Sequence, residues 1–204
     1  MGWMTLHSIS VCYPEIASNE DRQIISRFLD RFAECITCPT CKSHFVSIYG
    51  TYRSMYPDWA NSRFNLFVMM CRLHNTVNKR LDKPSPATVA ESIQTLKAAT
   101  KITSPAVFRS NYIQYVMQNW SYHPTGEGFV AAGAAREMRR LNVEYFTPRE
   151  VSYDSLNFPE ADLLRTVPEN TEHYRVGNGI PSYSSNIKTG GFRFRGGRLT
   201  FVRN

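Results

Sequence analysis

Apolar residues fall at helical intervals through the first half of the chain. Trp3, Leu6, Ile9 and Tyr13 recur at helical spacing until Pro14 breaks the run. Ile24, Ile25, Phe28, Leu29 and Phe32 then share one face, with Ser18 or Asn19 placed to cap the helix that carries them. After a turn carrying Thr37, Cys38-Pro39-Thr40-Cys41 opens a third helix. Pro39 suits a first turn because its missing N–H would have no helical partner there. Tyr56-Pro57-Asp58 reads as a loop. A longer helix is predicted from about Trp59 to Leu81, with Phe64, Phe67, Val68, Cys71, His74, Val77 and Leu81 on or near one stripe, and Pro84 and Pro86 end it. A short fifth helix covers Val89 to Ala98. Five short helices with tight links predict an all-α bundle over residues 1–98.

Beyond Lys101 the pattern loosens. Val107 to Trp120 and Gly128 to Leu141 read as helices, so residues 101–175 form a mostly helical extension whose last part is broken by Pro148, Pro159 and Pro168. Residues 176–204 are rich in Gly, Ser, Asn and Arg, and Lys188, Arg193, Arg195, Arg198 and Arg203 stand there without an acid. This segment is expected to be a flexible tail, or an arm that orders on a partner. The net charge of +7 favours anionic partners. Nucleic acid is one, since Phe192, Phe194 and Phe201 interleave with arginine and can stack on bases. The N-terminal residues lack the basic start and unbroken apolar core of a signal peptide. The longest apolar run, Phe64 to Cys71, is interrupted by Asn65 and too short to span a bilayer. A soluble cytosolic protein without a membrane partner is expected.

Two elements carry chemistry. The chain has 5 cysteines, an odd number that does not suggest a secreted disulfide framework. A Cys-x-x-Cys pair at a helix start, here Cys38 and Cys41, sits where the helix dipole and free N–H groups stabilise a thiolate. The same spacing lets a disulfide open and close with little backbone movement. Taken alone, the pair could equally be half of a zinc site, and Cys35, Cys38, Cys41, His44 and the Cys71/His74 pair supply ligand types for one. Against zinc, groups at strict three-residue intervals along one helix cannot surround a tetrahedral ion. The second element lies between Cys71 and Pro84. There Cys71, His74 and Asn78 share a helix face, and Asn75 and Asn78 offer paired donors and acceptors to the edge of a base or a flavin. Val77 and Leu81 supply an apolar wall, and Lys79, Arg80 and Lys83 could meet a pyrophosphate.

Together these residues resemble the Erv/ALR sulfhydryl oxidases. The shared pattern runs through Trp3, Leu6, His7, Tyr13, Pro14, Cys38, Cys41, His44, Phe45, Cys71, His74, Asn75, Val77, Asn78, Leu81, Lys83 and Pro84, in order and spacing. The resemblance covers roughly residues 1–98. It implies a four-helix bundle with a short fifth helix, holding FAD and usually paired as a homodimer. It further implies that Cys38 meets a protein thiol substrate while Cys41 lies next to the isoalloxazine, and that molecular oxygen takes the electrons as hydrogen peroxide. By similarity the flavin is held by Trp3, His7, Tyr13, His44, Cys71, His74, Asn75, Val77, Asn78, Leu81 and Lys83, and no metal is needed. The chain departs from cellular members in three respects. No Gly-Arg precedes Trp3, no cysteine follows Lys83-Pro84 to bridge Cys71, and no remote shuttle pair is present. Cys71 is then a free buried thiol or paired elsewhere. Cys12 and Cys35 are candidates for a relay, or are buried small hydrophobes. The slimmed pattern resembles the thiol oxidases of large DNA viruses, which implies action on virion proteins in the host cytoplasm or the virion.

Overall fold

The computed structural model describes residues 1–101, 103–120, 126–169, 191–195 and 198–202. Residues Met1–Thr171 form one compact all-α unit. Its helices are α1 (Gly2–Val11), α2 (Asn19–Glu34), α3 (Pro39–Met55), α4 (Arg63–Arg80), α5 (Val89–Ala99), α6 (Pro105–Trp120) and α7 (Gly126–Leu141). A π-helical turn over Asn142–Phe146 and two short 3₁₀ turns follow. Glu172–Asn204 form a separate unit, in which β1 (Gly191–Arg195) and β2 (Arg198–Val202) pair antiparallel with Gly191 opposite Val202. The tail expected to be flexible otherwise lies outside the described residues, and this hairpin was not foreseen. No helix among the described residues is long and apolar enough to cross a membrane.

Local chemistry explains where most helices begin. Ser18 caps α2 in a reciprocal box, accepting from the Asp21 N–H while the Asp21 carboxylate accepts from the Ser18 N–H. Thr88 and Glu91 repeat the device at α5. Helix α4 starts at Arg63, four residues later than its periodicity suggests. Ser62 is the reason: its hydroxyl accepts from the Asn65 N–H at 3.0 Å, while the Asn65 amide donates back to the Asp58 carbonyl at 2.8 Å. The intervening turn buries Trp59 and Ala60 in the core without making them helical. At its far end α4 closes in a Schellman motif, with the Lys83 N–H on the Asn78 carbonyl and Asp82 at φ 52°.

Helix α1 is the centre of the bundle, buried on every side from Thr5 onward. It packs against both α4 and α6, while α2 packs on α7 and α6 on α7. The α2–α7 approach follows from small residues, since α7 buries Ala131, Ala134 and Ala135 beside Met138. Arg31 ties the pair together through Glu137 at 2.7 Å. The main core joins Leu6, Ile9, Phe28, Ile48, Met69 and Phe146, so the extension and the first four helices share one interior. A smaller core gathers Val11, Phe67, Val68, Cys71, Val89, Leu96, Tyr153 and Leu163.

After the 3₁₀ turns, residues 156–169 run without regular structure along α4 and α5, forming a strap. Phe158 packs on Phe67 with ring centroids 4.9 Å apart, and Leu163 is fully buried. Polar side chains of α4 hold its backbone. Arg72 Nε donates to the Asp162 carbonyl at 2.8 Å, Asn75 Nδ2 to the Leu163 carbonyl at 3.0 Å, and Thr76 Oγ1 accepts from the Val167 N–H at 3.0 Å.

Candidate active site

Cys38 is the N-cap of α3 and Pro39 its first residue. The two sulfurs of Cys38 and Cys41 are bonded as a disulfide, with Cα atoms 5.2 Å apart, and both residues are exposed. The Cys41 N–H also points at Cys38 Sγ, at 3.2 Å. Reduction would leave a thiolate facing the positive end of a helix. The other three cysteines are buried, and Cys12 and Cys71 are free thiols. Burial pushes Cys12, Cys35 and Cys71 up to about 12, so they remain thiols. Cys35 Sγ lies 3.5 Å from the Ala131 carbonyl on α7, and Cys71 Sγ lies 3.1 Å from Ser92 Oγ. Among the described residues no group of three or more His, Cys, Asp or Glu is placed to hold a metal ion.

One helical turn past Cys41, Phe45 meets the edge of the Trp3 indole, with centroids 6.1 Å apart. Trp3 in turn stacks flat on His74 of α4, at 4.5 Å with planes 9° apart. His74 Nδ1 lies 3.0 Å from His7 Nε2 on α1. The sulfur pair is thus linked through α3 to an aromatic group built from α1 and α4. Burial lowers His7 to about 3, with His74 adding to the effect. Burial also lowers His74 to about 4, helped by Lys83 and the chain's amino terminus. Both rings are neutral near neutral pH, so one donates and the other accepts in their hydrogen bond. His7 Nδ1 is buried and has no hydrogen-bond partner among the described residues.

The remaining site residues expected from the sequence divide among three settings. His44 is buried on α3, with Nε2 2.9 Å from Glu169 Oε1. The distance is that of an ion pair, without the alignment of a hydrogen bond. Asn75 is buried, and its amide donates to two backbone carbonyls, of Pro86 at 2.9 Å and Leu163 at 3.0 Å. Asn78 donates to the Pro84 carbonyl at 3.2 Å. These asparagines therefore hold chain segments against α4. Tyr13 lies in the main core with its hydroxyl on the Ala60 carbonyl at 2.9 Å, and Cys71 lies in the smaller core. Val77 packs partly buried on the main core, while Leu81 and Lys83 are exposed at the end of α4. Sequence reasoning did not reach Glu169 or Thr76, and no local signal marks Glu169 in its Pro-broken stretch. A separate crevice of about 630 Å³ between α6 and α7, lined by Ile113, Met117, Arg139 and Val143 among others, shares no residue with this site.

Comparison with known proteins bears on the same segment. Residues 1–99 match the Erv1 / Alr family. The 096R protein of Invertebrate iridescent virus 3, placed by name among FAD-linked sulfhydryl oxidases, is 32% identical over 85 residues, 42% of this chain and 56% of that protein. The FAD-linked sulfhydryl oxidase ERV2 of Saccharomyces cerevisiae is 30% identical over 81 residues, 40% of this chain and 39% of its own. The mitochondrial FAD-linked sulfhydryl oxidase ERV1 of the same yeast is 33% identical over 82 residues, 40% of this chain and 41% of its own. The chain thus spans about half or less of the length of these relatives. No solved structure matches. The matched segment holds the sulfur pair, the Trp3–His74 stack and the His-Asn helix, and residues 1–99 of this chain are an Erv1 / Alr family domain.

Proposed function

We propose that the chain is an FAD-linked thiol oxidase that makes disulfides in protein substrates through Cys38 and Cys41. The observation that carries this reading is an exposed disulfide at a helix start, one turn from a half-buried aromatic group. A flat aromatic cofactor bearing phosphates suits that group. Trp3 and His74 offer a stacking surface, His7 Nδ1 is a buried polar atom lacking a partner, and Lys83 brings positive charge to the end of α4. Lys79 and Arg80 in the last turn add to that charge. The relatives named for FAD-linked sulfhydryl oxidation support the same cofactor.

In the first step a substrate thiolate attacks Cys38 Sγ, forming a mixed disulfide and expelling Cys41 as a thiolate. A second substrate thiolate then attacks the substrate sulfur of that bond. The substrate leaves as a disulfide, Cys38 is released and takes up one of the two substrate protons to become a thiol, and the other proton passes to solvent. The start of α3, where the Cys41 N–H points at Cys38 Sγ, lowers the cost of a thiolate in the pair. FAD held beside Trp3, His7 and His74 would supply a two-electron acceptor for the Cys38–Cys41 thiols, with molecular oxygen as the final acceptor and hydrogen peroxide as the product. The relative from an iridescent virus supports a viral setting, in which the substrates are virion proteins in the host cytoplasm.

The test is purification of the parent, Cys38→Ser and Cys41→Ser proteins, followed by flavin absorbance and dithiol-dependent peroxide release. Yellow protein is expected in all three, with turnover only in the parent and flavin reduction blocked in Cys41→Ser. Colourless parent protein, or parent-like turnover in both variants, would overturn the assignment.

A further inference from the structure

We propose that Glu169, far beyond the family segment, is the counter-ion of His44 and through it a positioning residue for the Cys38–Cys41 pair, so that the strap is part of the redox site. The consequence for the sulfurs rests on the thiol-oxidase reading; the pairing itself does not.

His44 follows Cys41 by three residues on α3, so the two residues are neighbours on the helix surface. A protonated imidazole there adds to the helix start in stabilising a thiolate. The charged groups acting on His44 come from two other elements. Glu169 on the strap brings its carboxylate to 2.9 Å from Nε2, and Arg80 at the end of α4 brings a guanidinium to 4.0 Å from the same carboxylate. Burial and Arg80 disfavour the His44 cation, and Glu169 favours it. The loss outweighs the gain, so His44 lies below its usual value, and Glu169 is the group that keeps protonation within reach.

Glu169 is held where it is by the strap, not by chance contact at the surface. Leu163 is buried under the backbone that Asn75 grips, and Val167 is buried with its N–H on Thr76. Glu169 follows two residues after that last anchor. Arg165 and Arg72 both face the Tyr56 ring, with their guanidinium carbons 5.9 Å and 5.3 Å from its centre, and add a further point of attachment. Glu169 acts on His44 first through its charge.

The experiment follows the imidazole resonances of His44 through a pH titration of the full chain by NMR, in the parent, Glu169→Gln and Arg80→Gln proteins. Glu169→Gln keeps the shape and removes the charge, and is expected to lower the His44 midpoint by about one pH unit. Arg80→Gln is expected to raise it. Glu169→Asp should recover part of the parent value. The pH profile of dithiol turnover should shift in the same direction as the midpoint in each variant. An unchanged midpoint in Glu169→Gln, or the same direction of shift in Glu169→Gln and Arg80→Gln, would overturn the proposal. Absence of thiol turnover in the parent would count only against the oxidase reading, because the His44 titration needs no substrate.

Discussion

The two sides of α1 treat buried polarity in opposite ways. Toward α6, Arg109 is fully buried, yet its guanidinium meets Ser8, Cys12, Asn142 and Glu150. Toward α4, His7 shares one ring nitrogen with His74 and leaves the other without a partner among the described residues. The first side is a closed network that joins α1 to the extension. The second is open-ended, beside the stacked Trp3 and His74. Buried polar groups in folded proteins are nearly always satisfied, so a closed network reads as structure and an orphaned atom reads as a place completed by something else. The cysteines repeat the contrast. Cys12 sits in the closed network with its proton held tightly, while Cys38 and Cys41 stand exposed at a helix start.

The comparison breaks most visibly at Arg109. Arg109→Met leaves Glu150 unpaired and Asn142 without its donor, and losing the charged hydrogen bonds to both costs about 3 kcal/mol, held down by the exposure of Glu150. Thermal unfolding should show Tm lower by roughly 10 °C. A Tm within a degree or so of the parent would mean that the network is not what locks the extension to α1.

Acid should expose the other side. His7 and His74 take up protons in the unfolded chain near 6.5 but in the folded chain only near 3 and 4. Their burial therefore costs no stability above 6.5, and stability falls as pH drops from there toward 4. Tm is expected to drop by roughly 5 °C between about pH 7 and about pH 5. The drop should be shallower in His74→Gln, where one of the two groups no longer titrates. Equal slopes in the two proteins would show that other groups carry the acid sensitivity.

The smallest effect on stability is expected at His7. His7→Leu removes an atom with no partner together with one hydrogen bond, and should change unfolding free energy by no more than about 1 kcal/mol. Flavin absorbance per chain should nevertheless fall, because the substitution removes the polar atom offered to the cofactor. A large loss of stability with full flavin content would reverse the roles given to the two sides of α1.

Much of the first half was legible because its signals are local. Ser18 caps α2, Pro39 occupies the first turn of α3 and Val89 begins α5, as spacing and capping chemistry indicated. The start of α4 was not legible, since periodicity runs through Trp59 and only the Ser62–Asn65 cap stops it. Asn75 shows a different gap. Its residue type suits the edge of a flavin, but its amide hydrogens reach the Pro86 and Leu163 carbonyls, and the second partner lies in a segment with no periodicity.

What the sequence alone determined were the helices, the cap of α2 and the family motif of residues 1–99, because each depends on residues within a few positions of one another or on a fixed spacing. What only the tertiary structure decided was which side of α1 is closed, that α6 and α7 share a core with the first four helices, and that Glu169 reaches His44. These are contacts between residues far apart in the chain. They are set by how faces pack and where buried charges find partners, and helical period carries no record of either.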